Sequence, residues 1–178
     1  MPIVLSAVLV FVASSLIHMV FGYHKNDVQA VPRQDDVMAA LRPFNLQPGD
    51  YCLPRPASIK DLGSDEYKAR VAKGPNLIFT VLPPDASFMG MTLFRWFLYA
   101  VVVSFVSAYI TGVALAPGAT YAQVFRVAAT AGFACYAMAL PQMSIWYRRN
   151  SGTTLLSMFD GFLYGCLIGG AFGWLWPR

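Results

Sequence analysis

Charge is scarce in this chain. Only 12% of the 178 residues are Asp, Glu, Lys or Arg, whereas 57% are hydrophobic and mean hydropathy is +0.51. Soluble domains carry about 25% charged residues, so most of this surface is unsuited to water. Cysteine is equally sparse. Cys52, Cys135 and Cys166 show no C-x-x-C spacing, which excludes a paired zinc motif and a disulfide-stapled secreted scaffold. Histidine occurs only at His18 and His24, so the commonest general base is missing from the rest of the chain. No glycine-rich phosphate loop, G-x-S-x-G or H-E-x-x-H is present. The net charge of +4 is not gathered into a basic run or stripe, so no nucleic-acid partner is expected.

What the chain has in quantity is long apolar runs. Four of them reach the roughly 20 residues needed to cross a hydrocarbon core: residues 2–23, about 91–115, about 122–147 and about 153–176. The linkers "APGATY" and "RRNSG" are so short that consecutive spans must be antiparallel, which makes spans two and four parallel. The first run lacks a basic leader and exceeds the usual apolar length of a signal peptide, so an uncleaved anchor is expected. Lys and Arg lie between spans one and two and at Arg148 and Arg149. The positive-inside rule therefore puts those two segments in the cytoplasm and both termini outside, in a bacterial inner membrane.

Residues 24–90 are too charged for lipid. "SDEYKARVAKG" reads as a short helix, with Ser64 as its cap, Asp65 and Glu66 at its positive end, and Arg70 and Lys73 before Gly74. "QDDVMAALRPF" is a second helix, while "GDYCLP" and "NLIFTVLP" read as short strands. The expected fold is an all-α membrane protein: a four-transmembrane-helix bundle with a small α+β polar lobe between helices 1 and 2. Its segments are residues 1–23, the lobe 24–90, and a three-helix part 91–178.

Span four carries Gly161, Gly165, Gly169 and Gly173 in strict four-residue register. Each glycine costs about 1 kcal/mol against alanine in an aqueous helix, so the stripe needs a reason. In lipid, small residues let helix backbones approach closely. Span two has a matching stripe at Ala100, Ser104, Ala108 and Gly112, and this glycine-zipper pattern predicts close packing of spans two and four. Span three is small as well, at Ala131, Cys135 and Ala139.

Two charges fall inside spans, where ionisable groups usually face a partner or a wet cavity. Each lies one position before its small-residue register, so parallel alignment of the spans predicts an intramembrane ion pair between Arg95 and Asp160. The two histidines are six residues apart and would not share a helix face. Met19 neighbours His18 but points about 100° away on a helix, so the two cannot clasp one haem iron. His18 and His24 are thus the only candidates for a metal, and weak ones. No metal site and no cofactor are expected.

No catalytic constellation emerges. The reading that follows is a non-catalytic accessory or assembly subunit, embedded in the lipid bilayer and acting through contact with another membrane protein or a second copy of itself. The alternative is a small transporter or channel using the glycine-striped helix and the Arg95/Asp160 pair.

Overall fold

The computed structural model describes residues 1–84 and 88–177, with Phe88 described in its backbone alone. Asp85 and Arg178, which belong to the charge inventory of the sequence, lie outside the described residues. The fold is mostly helical, with one two-stranded sheet, and divides into two compact units: Met1–Gln29 with Ser87–Arg178, and Ala30–Ala86.

The first unit contains α1 (Pro2–Leu16), which continues through a π-helical stretch, Ile17–Phe21, and later α4 (Phe88–Ala114), α5 (Tyr121–Ala137), α6 (Pro141–Tyr147) and α7 (Ser151–Leu175). Four helical stretches are long and apolar enough to cross a membrane: Pro2–Phe21, Met89–Ala114, Tyr121–Tyr147 and Ser151–Leu175. Their ends are locally encoded. At α5, Thr120 and Gln123 form a reciprocal capping box. At α7, Asn150 Oδ1 accepts from the Gly152 amide at 2.7 Å. The third stretch is broken, because Pro141 has no N–H for the Ala137 carbonyl four residues back. The Leu140 amide takes that carbonyl instead, at 3.1 Å, in a tighter turn.

The closest packing in this unit joins α7 to α5 rather than to α4, which corrects the expectation of paired stripes on spans two and four. A Cβ built on Gly165 would lie 2.7 Å from the Ala129 carbonyl oxygen and 2.9 Å from the Phe133 amide nitrogen. One on Gly169 would meet the Phe125 carbonyl oxygen and Ala129 Cβ at 2.8 Å each. Gly161 faces Tyr136 and Ala137, and Gly173 faces the Tyr121 ring. The α5 helix contributes Gly132, whose Cβ would lie 3.2 Å from Gly165 Cα. The physical reason is shape. The glycines strip one face of α7 of side chains, so the backbone of α5, itself opened by Gly132, comes into direct contact there. On α4, Ala100 and Ser104 are buried, Ala108 is half-buried, and Gly112 is exposed with open space around it. That helix lies against α1 and α5.

The buried core runs through Ala7 and Val10 of α1, Ala100 and Val103 of α4, Val124, Ala128 and Tyr136 of α5, and Tyr164, Ile168 and Phe172 of α7. Beside it, Trp96 Nε1–H donates to Ser14 Oγ at 2.8 Å, joining α4 to α1.

The second unit holds α2 (Gln34–Leu41), β1 (Gly49–Leu53), α3 (Asp65–Lys73) and β2 (Leu77–Val81). The strands pair antiparallel, from Gly49 opposite Val81 to Leu53 opposite Leu77. Ser64 caps α3 by accepting from the Tyr67 amide at 3.1 Å, and Gly74 ends it at φ +57°. None of the described residues of this unit is buried. Two strands and two short helices do not enclose a core of their own.

Candidate functional site

The most concentrated polar chemistry lies where α1 ends. The π-helical stretch holds His18, and Gly22 follows it at φ +63°, a left-handed conformation that favours glycine and turns the chain back. The Lys25 amide returns to the Gly22 carbonyl at 3.2 Å, and the Asp27 amide to the His24 carbonyl at 3.0 Å. Because of this reversal, His24 stacks on His18, with ring centroids 4.6 Å apart and planes 3° from parallel. An uninterrupted helix would have kept the two rings apart.

His24 lies between two carboxylates. Its Nδ1 is 2.7 Å from Asp27 Oδ2, and its Nε2 is 2.7 Å from Asp160 Oδ2 on α7. Carboxylates only accept, so both ring nitrogens donate and the ring is an imidazolium. Burial works against this charge, but the hydrogen bonds to Asp27 and Asp160 and their negative charge prevail. They hold His24 above the ordinary histidine range. Asp160 is 4% exposed, and its second oxygen accepts a short hydrogen bond from the Tyr23 hydroxyl. His18 Nδ1–H donates to the Ser14 carbonyl at 2.9 Å, which leaves the lone pair on Nε2. The ligand-capable atoms of His18, His24 and Asp160 all lie within 4.8 Å of one another.

Spacing in the sequence makes Arg95 the partner of Asp160, and the structure does not bring them together. Among the described residues Arg95 forms no ion pair, and it is exposed on α4. The buried charge of Asp160 is met instead by the segment that follows α1. Tyr23, at the end of the first apolar run, and Asp27, one acid among several in a polar stretch, both belong to the site. The one local signal for Asp27 is its position three residues after His24.

Compared with known proteins, the chain matches no family model, no curated protein and no solved structure.

Proposed function

We propose that this chain is an integral membrane protein of non-catalytic type, an accessory or assembly subunit whose lobe docks on another protein. One observation carries the reading: the unit Ala30–Ala86 has no buried residue among those described, while its apolar side chains stand open. On α2 and the turn after it, Val37, Met38, Leu41 and Phe44 are 40%, 53%, 41% and 70% exposed. Positions 37, 41 and 44 follow helical spacing, so they form one apolar stripe, the pattern a helix uses to enter a partner's groove.

A protein partner suits this lobe better than the bilayer surface. Its basic residues Arg33, Arg42, Arg55, Lys60, Lys68, Arg70 and Lys73 are matched in number by Asp35, Asp36, Asp50, Asp61, Asp65, Glu66 and Asp85. Docking on anionic lipid draws instead on a clear excess of Lys and Arg. In this reading the four apolar helices cross a bacterial inner membrane, with the lobe and the Arg148–Arg149 turn in the cytoplasm and both termini outside.

The test is native mass spectrometry of the full chain, extracted gently from its own membranes. A second protein in fixed stoichiometry is expected. It should be lost when Val37, Leu41 and Phe44 are changed to Ser, with helical content and thermal midpoint retained. A chain that is monomeric or self-associated in every extract, or a complex indifferent to the triple substitution, would overturn the reading.

A further inference from the structure

A hydrogen-bonded clamp between the end of α1 and α7 accounts for Tyr23, His24, Asp27 and Asp160. His18 is left over: its ring lies against His24, and its Nε2 has no hydrogen bond among the described residues. The geometry points to a binding site for one divalent first-row transition-metal ion, with Zn²⁺ as the reference ion, held by His18, His24 and Asp160.

The strongest support lies behind the three ligands. Histidines that bind metals donate their other ring N–H to a carboxylate or a carbonyl, and ligating carboxylates are themselves hydrogen-bonded. All three candidates have that backing. The remaining nitrogen of His24 is held by Asp27, that of His18 by the Ser14 carbonyl, and the far oxygen of Asp160 by Tyr23. Each ligand therefore has a separate partner for its other polar atom, which a simple clamp does not require for His18.

The placement also provides entry and charge. Asp160 is buried and His18 is exposed near the end of the first apolar stretch, so the His18 side is the open face of the cluster. Two imidazoles and one carboxylate form a donor set that suits zinc and iron, and three protein ligands leave a fourth position for water. Metal–ligand bonds of about 2.0–2.2 Å put the ligand atoms of one tetrahedral ion roughly 3.5 Å apart. The ion takes the place of the His24 Nε2 proton facing Asp160. Parallel stacked rings cannot both aim a nitrogen at one ion, so the His18 ring tilts off His24 as the widest pair closes by a little over an ångström, and the 2.7 Å His24–Asp160 pair opens to admit the ion. The π-helical stretch beneath His18 fits this role, since such irregular turns gather at functional sites.

The experiment uses the full-length, tag-free protein in detergent, stripped with chelator and titrated with Co²⁺ alone as a spectroscopic stand-in and then with Zn²⁺. The expected result is one Co²⁺ per chain, with visible ligand-field bands of a four-coordinate ion that Zn²⁺ bleaches. His18→Ala should weaken Zn²⁺ binding about tenfold or more, and Asp27→Ala, behind a ligand, about tenfold. His18→Ala is the decisive variant, because His18 has no part in the hydrogen-bonded clamp. Its metal-free helical content and thermal midpoint should match those of the native chain. Absence of a stoichiometric Co²⁺ band in the native protein would overturn the proposal. So would Zn²⁺ affinity unchanged by His18→Ala, which would leave His18 a stacking partner only.

Discussion

A charge placed inside an apolar helix must be answered, and which group answers it decides what the residue does. Asp160 is answered by a phenol and an imidazolium, both from the segment immediately after α1. The side chains of His24 and Asp160 are 8% and 6% exposed, so each is poorly screened, and removing one strands the other. Asp160→Ala should cost ~3–5 kcal/mol in metal-free protein. A thermodynamic cycle between His24→Ala and Asp160→Ala should show a coupling of ~0.5–3 kcal/mol, whereas Arg95→Gln and Asp160→Ala should add. Reversible denaturation in mixed micelles measures all of these. Coupling of Asp160 to Arg95 and not to His24 would contradict the site as described. A second residue-scale expectation concerns Ser107, whose buried hydroxyl has no partner among the described residues. Ser107→Ala removes an unsatisfied group at almost constant volume, so the same assay should find a gain of up to about 1 kcal/mol.

At the scale of elements, the α5–α7 pair shows why glycine is tolerated in so apolar a helix. Gly165 and Gly169 lie against backbone atoms of α5, which cannot rotate away as a side chain can. Gly165→Ala should therefore destabilise by ~1–3 kcal/mol, despite the better helix propensity of alanine. Gly112→Ala, on a helix surface with open space around it, should be neutral or gain up to ~1 kcal/mol. Thermal midpoints of the two variants decide the point, and equal shifts would contradict the packing described. These elements also mark how far sequence reaches. Apolar length, the Ser64 cap and the two short strands are local signals, legible residue by residue, and so is the cost of burying Asp160. The partners are another matter. Small residues announce a packed face without naming what fills it, and the matching stripe on α4 misleads because α5 offers small residues, Ala129 and Gly132, to the same face. His18 and His24 are equally hidden, since their meeting depends on a π-helical stretch and a left-handed Gly22 that spacing rules built on a regular helix do not anticipate.

For the molecule as a whole, the contrast between its two units becomes a contrast in local stability. Amide hydrogen exchange is slow where opening must disrupt buried packing and fast where backbone hydrogen bonds are exposed. The α5–α7 pair carries the tightest backbone contacts, while none of the described residues from Ala30 to Pro84 is buried. In isolated protein the peptides from 121–137 and 151–175 should exchange slowest and those of the lobe fastest, with 34–44 among the quickest. If the apolar helices span a bilayer, detergent or lipid covers them in either preparation, so the informative quantity is the change at 34–44 between environments. If the apolar stripe of α2 docks on a partner, protection there should rise severalfold in the native complex. It should remain unchanged between detergent and lipid nanodiscs containing the chain alone. Protection gained in nanodiscs without any partner would instead assign the stripe to the bilayer surface, against the balance of charge on the lobe. Exchange at 34–44 that stays equally fast in the native complex would remove that surface from any interface, and with it the observation on which the accessory-subunit reading rests.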